Sequence, residues 1–483
     1  MSSLRRVIAA ASGVGLVLGL VSTTPAAANH LSCGQVVTAS TSLHGDLFCP
    51  NGNGLILQGN GITLNLNGHT IRGRLETRQV TQAAAIGDNG QFGTPYTIRY
   101  TTGQFVGVQI RGTRNRVTGP GSIRNFAAGV LIQGGSRNTV TRVTVEENLG
   151  PPGTTEFGDG IVVWDSVGNY ITGNTVRDNG PFDGIGLLGA AGRNTVQGNL
   201  VTRNSQPEIC PERDFFRFST SGGGIVHVCG PTHPTQPPFV FTNQQNHGVK
   251  FEGLDSGAPY ENTVHGNTIV DNGNTGIFSP STCPDFGPGL VCPGPSNRDN
   301  IISSNQINRN GFGYPTGIAG ARLFEGPGNG GSGITLMIGG PNPPIRHTVR
   351  GNTANENAKN GIAVLDHRPG NPVTMSTFVG NTALRNNQLS GGGRAFNGYD
   401  GNANVTPNTP CDQNVWRNNN FGRTYADIGG PVPPNNLTNH PCVGPVLPPQ
   451  PTAGQTAQAA QAAQAAQAAE ESPTLLTRRG PPQ

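Results

Sequence analysis

The chain has 483 residues, of which 31 are Lys or Arg and 27 are Asp or Glu, so its formal net charge is only +4. A balance this close to neutral argues against a dedicated nucleic-acid binder, which would carry a basic stripe. Aromatic residues are 6% of the chain and Met only 3 residues, whereas Gly and Pro number 73 and 39. This composition disfavours a dense helical core and favours short strands joined by turns.

The first predicted element is a secretory signal peptide over 1–28. Arg5 and Arg6 precede an apolar run over 7–21, and the small residues 26–28 form an A-x-A cleavage signal. The run is too short and too rich in Gly for a membrane-spanning helix, and no second apolar stretch of about 18 residues follows. We therefore expect a secreted, extracellular protein with no membrane span after cleavage.

Export makes the eight cysteines informative, because disulfides form in oxidising compartments. All eight follow the cleavage signal, and neighbours close short loops. We predict the pairs Cys33–Cys49, Cys210–Cys229, Cys283–Cys292 and Cys411–Cys442. The first pair lies in residues 29–53, which we predict to be an N-terminal cap over the open edge of the first coil.

The body of the chain is one long repeat. A residue followed by Gly and an alternating apolar run recurs, in several steps of 22 to 31 residues; the first residues are Asn53, Val106, Ala128, Asp159, Asp183, Gly223, His247, Thr275, Thr316, Ser332 and Asn360. Each repeat holds three short pieces of alternating pattern, which predict three strands. Three strands and three turns in about 24 residues describe one coil of a parallel β-solenoid.

Asparagines recur between the strand pieces in three columns. Stacked amides at turns can form hydrogen-bonded ladders, and Asn tolerates the left-handed backbone that sharp turns need. The columns include Asn138, Asn169, Asn194 and Asn262; Asn174, Asn199, Asn267, Asn305, Asn352 and Asn381; and Asn148, Asn179, Asn204, Asn272, Asn310, Asn357 and Asn386.

The segment GLILQGNGITLNLNGHTIRG at 54–73 and the repeated xGI…N.v.gN.v..N pattern resemble the right-handed parallel β-helix repeat proteins of the pectate-lyase-like superfamily. The resemblance implies an all-β, single-stranded right-handed parallel β-helix of about 10–11 coils with capped ends. That superfamily includes polysaccharide lyases, polygalacturonases, alginate epimerases, phage tailspikes and a copper-site maturation protein. The NTD, DD, GHG and RIK set of polygalacturonases and the YG-DPH element of epimerases are absent here, so no named activity carries over.

The chain therefore divides into five predicted parts. The signal peptide and the cap precede β-helix repeats over 54–399 and a closing segment over 400–445. Residues 446–483 are rich in Pro, Ala and Gln, and we predict a disordered tail. The composition gives no sign of an oligomer, and we expect a monomer.

Stacking of coils turns the repeat into a prediction of a site. Equivalent residues of successive coils lie about 4.8 Å apart, so Asp159 and Asp183 should be neighbours, with the Gly223 coil next and His247 two coils above Asp183. Alternation along the strands points Lys250 and Glu252 outward on the coil of His247. We predict these five residues as the catalytic group.

Apolar and aromatic surface should border the five ionisable residues. Trp164 and Leu188 point outward by the same alternation, as do Val226 and Val228 of the Gly223 coil. Long insertions over 205–222 and 229–246 flank the patch and contain Arg213 and Arg217. We predict Trp164, Arg213 and Arg217 as substrate-binding residues, since sugar rings stack on aromatic side chains and hydrogen-bond at their edges.

Neighbouring carboxylates at Asp159 and Asp183 have three interpretations. They could act as acid and base, bind a hard cation such as Ca²⁺, or bond local backbone N–H groups as ordinary turn residues. We predict a secreted β-helix protein that cleaves or modifies an acidic polysaccharide as a lyase, hydrolase or epimerase. The sequence leaves open whether it is an enzyme, and the alternative is a non-catalytic carbohydrate-binding or structural cell-envelope protein. A copper site is disfavoured because only three Met are present and the His residues are scattered.

Overall fold

The computed structural model describes residues 30–82, 96–150, 158–205, 215–219, 225–229, 239–241, 246–254, 256–281, 295–311, 331–337, 342–365, 373–386, 388, 396–401, 410–424, 427 and 437–444. The signal peptide and the tail over 446–483 lie outside these residues. The described residues contain no helix with the length and hydrophobicity that a membrane crossing requires. A short 3-10 helix covers Pro410–Gln413.

Three long parallel sheets of 11, 11 and 8 strands run along the described chain, and each of the first eight coils contributes one strand to each sheet in turn. Sheet A has 11 strands, namely Gln35–Val37, Leu55–Asn60, Val106–Thr113, Ala128–Gln133, Ile161–Trp164, Ile185–Leu188, Val249–Glu252, Ile277–Pro280, Ile334–Met337, Ile362–Leu365 and Gly398–Asp400. The predicted right-handed parallel β-helix of about 10–11 coils is confirmed.

Sheet B follows sheet A in every coil, and sheet C follows sheet B in the first eight coils. Sheet B consists of Thr41–Ser42, Thr63–Asn65, Arg116–Thr118, Thr139–Thr141, Tyr170–Thr172, Thr195–Gln197, Thr263–His265, Ile301–Ser303, Thr348–Arg350, Thr377–Val379 and Val415–Arg417. Sheet C consists of Leu47–Phe48, Thr70–Arg72, Ser122–Arg124, Thr144–Glu146, Thr175–Arg177, Leu200–Thr202, Thr268–Val270 and Gln306–Asn308. The segment predicted as a cap thus supplies one strand to each sheet.

The core is the interior of the solenoid. In a three-residue strand the middle side chain points inward and its neighbours point outward, as in Tyr170–Thr172, where Ile171 is buried. In the following coils Val196 and Val264 pair in register with Ile171, so like side chains stack. Both are buried in the continuous apolar cluster. This regular stacking lets a chain with few aromatic residues bury a core along its whole length.

The corner between sheets B and C is tight. Gly173 and Asn174 alone connect Thr172 to Thr175, and Gly173 has φ +63°, a backbone conformation that glycine adopts without strain. The backbone N–H of Asn174 donates to Oδ1 of Asn199 at 2.9 Å. The same bond continues coil by coil through Asn267 and Asn305. The predicted asparagine ladder is confirmed.

Long insertions occur just before or just after strands of sheet A. Connections from sheet C to sheet A, or from sheet A to sheet B, contain each gap in the described residues between Leu55 and Arg417 that is longer than one residue. Two small antiparallel sheets belong to such insertions. One is the hairpin Glu76–Gln82 with Tyr96–Thr102, and the other joins Phe215–Ser219, Ile225–Cys229 and Phe239–Phe241.

Two predicted coils are wrong. The strand Ile185–Leu188 pairs directly with Val249–Glu252, so no coil begins at Gly223. Val226 and Val228 instead belong to the three-stranded antiparallel sheet. Likewise Ile277–Pro280 pairs directly with Ile334–Met337, so no coil begins at Thr316. Both errors have one cause: a Gly followed by apolar residues also occurs inside insertions, where no neighbouring coil is available to pair.

Disulfides join Cys33 to Cys49 and Cys411 to Cys442. The first ties the first coil together, and the second lies within the predicted closing segment, where it connects the 3-10 helix to Cys442. The other two predicted pairs, Cys210–Cys229 and Cys283–Cys292, involve side chains outside the described residues.

Candidate functional site

Asp159, Asp183 and His247 form a column at the edge where the chain enters sheet A, which we call the entry column. The backbone N–H of Asp183 donates to Oδ1 of Asp159 at 3.0 Å, and that of His247 donates to Oδ1 of Asp183 at 3.0 Å. The two aspartates are therefore neighbours. His247 lies one coil from Asp183, not two, because the predicted Gly223 coil does not exist.

Asparagine performs the same structural task elsewhere in the entry column. Oδ1 of Asn53 accepts a bond from the backbone N–H of Val106 at 2.9 Å, and Oδ1 of Asn360 accepts one from Phe396 at 2.8 Å. Asp159 and Asp183 thus accept backbone N–H bonds, as the interpretation of them as ordinary turn residues predicts. This interpretation does not explain the charge, because a neutral amide makes the same bond without the cost of burying a carboxylate.

Lys250 and Glu252 project from the outer face of sheet A, as the alternation predicts. Val249 and Phe251 point into the core on the same strand. Nζ of Lys250 lies 2.9 Å from Oε1 of Glu252, and the Lys250 side chain is 5% exposed whereas that of Glu252 is 21% exposed. A buried ammonium paired in this way is held in one position.

Gly186 leaves room beside the column. It pairs with Val162 on one side and Lys250 on the other, so its missing side chain opens a notch in the outer row. A Cβ atom at Gly186 would lie 3.3 Å from Oδ1 of Asp159 and 2.5 Å from Cδ1 of Leu188. The Leu188 side chain therefore fills this notch, and the Asp159 carboxyl group lies at its margin.

Burial dominates the electrostatics of the aspartates. Desolvation raises the pKa of Asp159 to about 7, opposed by the bond from the Asp183 N–H. Desolvation also raises the pKa of Asp183 well above its usual range, although the Lys250 ammonium opposes this. One ammonium cannot neutralise three neighbouring carboxyl groups in a buried place. The site therefore holds a proton on its aspartates near neutral pH.

His247 is the neutral member of the group. Burial, and secondarily the charge of Lys250, lower the pKa of His247 well below its usual range. Its ring stacks on Phe278 of the next coil, with ring centroids 4.4 Å apart. A neutral imidazole can accept a proton or hydrogen-bond a hydroxyl group, as the chemistry of acid–base sites requires.

An apolar patch borders the notch. Trp164 and Leu188 pack, partly buried, against a separate outer cluster that includes Leu131 and Val162. Trp164 and Leu188 therefore point outward as the alternation predicts. Val226 and Val228 are not part of this patch. Arg213 and the side chain of Arg217 lie outside the described residues.

The match to a family model decides what kind of chain this is. The model for the right handed beta helix region matches residues 51–235 and 239–383, more than half of the chain. The chain belongs to the right-handed β-helix family. No curated protein matches it.

This β-helix protein is also similar in shape to several solved structures. The Dettilon tailspike protein is 15% identical over 70% of this chain and 48% of its own, with a TM-score of 0.37. The pectate lyase Pel9A is 15% identical over 76% of this chain and 75% of its own, with a TM-score of 0.37. A mannuronan C-5 epimerase A-module from Azotobacter vinelandii is 12% identical over 81% and 89%, with a TM-score of 0.39. Likenesses at this level assign no activity to the β-helix protein.

The carboxyl groups of the entry column do not belong to a group of three close metal-ligating side chains among the described residues. Among the described residues, the single group of three close metal-ligating atoms is Cys411, His440 and Cys442, and its two cysteines are joined in a disulfide. Asp159 and Asp183 instead share their surroundings with an ammonium group. The predicted Ca²⁺ site at these two residues stays a prediction.

Gly186, Phe278 and Thr335 were missed by the sequence prediction. Phe278 pairs with Lys250, and Thr335 with Phe278, on the outer row of sheet A. The alternation that predicts an outward Lys250 also predicts that these three positions face outward. The sequence did not show that Phe278 and Thr335 are neighbours, because the incorrectly predicted Thr316 coil lay between them.

Proposed function

We propose that this β-helix protein acts on an acidic polysaccharide at the entry column by acid–base chemistry. The observation that supports the proposal is the occurrence of two buried carboxyl groups where the chain elsewhere uses asparagine for the same bond. A carboxyl group with a pKa near 7 can both donate and accept a proton at neutral pH, which is what general acid–base catalysis needs.

Each side chain has a role in the proposed reaction. In a lyase, a base removes the C5 proton of a uronate, the C4–O bond breaks, and an acid protonates the leaving oxygen. Protonated Asp183 supplies the acid, ionised Asp159 the base, and Lys250 faces the uronate carboxylate, while the lowered pKa of His247 keeps its imidazole neutral. In a hydrolase, Asp183 remains the acid and Asp159 or Glu252 provides the carboxylate on the other side of the scissile bond.

The apolar patch gives the proposed substrate a surface. Trp164 lies two positions along the outer face of its strand from Val162, next to the notch at Gly186. Sugar rings stack on aromatic side chains, so Trp164 is the proposed platform for one ring. The predicted secretion of the chain fits a substrate outside the cell.

A second candidate is a carbohydrate-binding protein without turnover. The observation in its favour is that Asp159, Asp183, His247 and Lys250 are each no more than 5% exposed. Buried charges can also fix a single packing arrangement without reacting. Under this candidate the outer face of sheet A binds a saccharide, and the aspartates hold its edge in place.

A panel of uronic-acid and neutral polysaccharides separates the two candidates. New ultraviolet absorbance marks the unsaturated product of a lyase, reducing ends without it mark a hydrolase, and NMR detects epimerisation. Ca²⁺ and EDTA are added in parallel to test for a cation. We expect turnover by the wild type and a loss of about 100-fold or more in Asp183→Asn, since acid–base groups contribute factors of this size.

The matched substitutions make the test specific. Asp159→Asn and Asp183→Asn keep the accepted hydrogen bond, so both variants should fold with an unchanged or raised unfolding midpoint. Asn360→Asp, the reverse change in the same column, should lower the midpoint and leave turnover unaffected. Wild-type turnover in both Asp variants would exclude the acid–base role. Binding without turnover across the panel would favour the second candidate.

A further inference from the structure

Three side chains with metal-ligating atoms meet at the C-terminal end of the solenoid. The ligating atoms of Cys411, His440 and Cys442 all lie within 4.8 Å of one another, and no second group of this kind occurs in the described part of the chain. Nδ1 of His440 lies 3.0 Å from Sγ of Cys442. The two sulfur atoms are joined in a disulfide, so in this state they offer no thiolate to an ion.

Reduction of this disulfide would convert the group into a ligand set for zinc. A dithiol reductant passes two electrons and two protons to the Cys411–Cys442 bond, which gives two thiols and leaves the reductant as a disulfide. A Zn²⁺ ion then takes both sulfurs as thiolates, and two protons are released. Two thiolates and one imidazole suit Zn²⁺, and three protein ligands leave its fourth position to a water molecule.

The backbone around the group fits such an ion. In a tetrahedral zinc site the ligating atoms are roughly 3.3 to 3.8 Å apart. The Cα atoms of Cys411 and Cys442 are 6.3 Å apart, so rotation of the two side chains can separate the sulfurs to this distance. Cys411 is buried, whereas His440 and Cys442 are partly exposed. A reductant and an ion can therefore reach the group from the side of Cys442.

The group also fastens the closing segment to the last coil. The 3-10 helix Pro410–Gln413 precedes the last strand of sheet B, whereas residues 437–444 lie beside the last strand of sheet A. There the backbone N–H of Gly398 donates to the carbonyl oxygen of Leu437 at 3.1 Å. A zinc ion at the group would hold the same two parts of the chain together after the disulfide has been reduced.

We propose that Cys411, His440 and Cys442 form a redox-dependent zinc site, which binds one Zn²⁺ when the disulfide is reduced and none when it is formed. The site belongs to the last coil and not to the entry column, so it does not rest on the proposed function. A purely structural role for the imidazole is the alternative, because Nδ1 of His440 also accepts a bond from the backbone N–H of Cys442 at 3.2 Å.

The test is the substitution His440→Asn, which separates the two roles. The side-chain oxygen of asparagine can accept the same backbone bond in a turn, but the variant lacks the imidazole that zinc requires. The matched control is His69→Asn, which removes a partly exposed imidazole that lies 3.6 Å from Asp46 instead. Unfolding midpoints of the oxidised proteins show that each variant folds.

Metal binding is measured on the full chain before and after reduction. The protein is reduced with a dithiol, freed of it by gel filtration under nitrogen, and titrated with Zn²⁺ against a chromogenic chelator. Co²⁺ is titrated in parallel, because its tetrahedral thiolate complexes are coloured. The other cysteines also become thiols, so the site is measured as the difference between variants.

Reduced wild-type protein should hold one more tightly bound Zn²⁺ per chain than reduced His440→Asn. Cys411→Ser should lose the same equivalent, whereas His69→Asn and the double variant Cys33→Ser/Cys49→Ser should keep it. Zn²⁺ should raise the unfolding midpoint of the reduced wild type and leave that of reduced His440→Asn unchanged, since only the former binds the ion in its folded state. Zn²⁺ should have no effect on the oxidised proteins.

Three results would overturn the zinc site. The first is equal binding of Zn²⁺ by the reduced wild type and His440→Asn, which would leave the imidazole its structural role alone. The second is an equal loss of Zn²⁺ in Cys33→Ser/Cys49→Ser, which would mean that the ion binds exposed thiols without selection. The third is binding of Zn²⁺ to the oxidised wild type with the affinity of the reduced protein, which would contradict the dependence on redox state.

Discussion

The corner between sheets B and C and the corner between sheets C and A both carry an asparagine ladder, but only the second adjoins the entry column. At the first corner a ladder of asparagines from Asn174 to Asn419 bonds each coil to the next, with two-residue connections in most coils. At the second corner a ladder from Asn148 to Asn386 does the same. Beside it the entry column varies from coil to coil: Asn53 and Asn360 stand near its two ends, and Asp159, Asp183 and His247 stand in its middle. The second corner is also a place where insertions leave the solenoid.

This comparison shows that the fold requires the hydrogen bonds between coils but does not require carboxyl groups to make them. Amides satisfy the stacking bonds at both corners, so a carboxyl group adds only the cost of burial and the ability to move a proton. Uniform asparagine therefore marks a structural corner. The pair of buried carboxyl groups in the separate entry column, beside Lys250 and Gly186, marks the candidate site.

Removing one amide from the uniform ladder should have the largest effect on stability. In Asn267→Ala the N–H of Asn199 and the carbonyl oxygen of Val196 each lose a partner in a buried place. We expect a loss of about 3 kcal/mol or more in unfolding free energy, measured by denaturant titration. A loss comparable to that of an exposed substitution would mean that the ladder does not stabilise the coils.

Burial of the Asp159 carboxyl group should make the stability of the protein depend on pH. The folded pKa of Asp159 is about 7 and its unfolded value 3.8, so the folded state binds more protons between these values and stability falls as pH rises through that window. The stability of Asp159→Asn relative to the wild type should therefore grow from about pH 4 to about pH 7 and then level off. A difference that is constant with pH would contradict the raised pKa.

His347 should give the opposite pH dependence of stability. It occupies a ladder position, its backbone N–H donates to Oγ of Ser376, and burial lowers the pKa of its ring from 6.5 to about 4. The unfolded state binds more protons between these values, so stability falls as pH decreases through that window.

His347→Asn should remove this dependence and restore an amide to the ladder. Neither ring nitrogen of His347 makes a hydrogen bond among the described residues. We expect a gain of about 1 kcal/mol at neutral pH that increases on acidification, measured by denaturant titration at several pH values. A variant less stable than the wild type at every pH would show that the ring packing is worth more than the amide.

Exposed ion pairs at the corner before sheet A should contribute least to the free energy of unfolding. Arg309 binds Asp271 of the preceding coil through two bonds of 2.8 and 2.9 Å at the solvent surface. A double-mutant cycle with Arg309→Gln and Asp271→Asn should give a coupling energy below about 1 kcal/mol that shrinks in high salt. A larger coupling energy that does not change with salt would contradict this prediction and would mean that the pair behaves like a buried ion pair.

Much of the architecture could be read from local pattern alone. The five-residue spacing of Asn169, Asn174 and Asn179, with an apolar residue between successive asparagines, recurs at 194–204 and at 262–272, and coil, strand and corner follow from it. The alternation along Ile161–Trp164 and Val249–Glu252 correctly separated inward from outward side chains. These features depend on neighbours close in sequence or on a strict repeat.

The composition of the candidate site depended on which coils truly stack. Gly223 and Thr316 satisfy the local pattern as well as His247 does, and only pairing with a neighbouring strand distinguishes them. Because the segments that begin at Gly223 and Thr316 form no coil, His247 lies next to Asp183 and Thr335 next to Phe278. Insertions are the reason the sequence could not decide this, because an inserted segment changes the sequence distance between coils without changing their contact.

The sequence by itself determined that this protein is a β-helix with amide ladders, since repetition fixes which side chains face inward and which residues turn. Only the tertiary structure decided that Asp159, Asp183, His247, Lys250 and Glu252 meet beside the notch at Gly186. It also decided their proton affinities, because desolvation depends on all the groups packed around a carboxyl and not on its own neighbours in the chain.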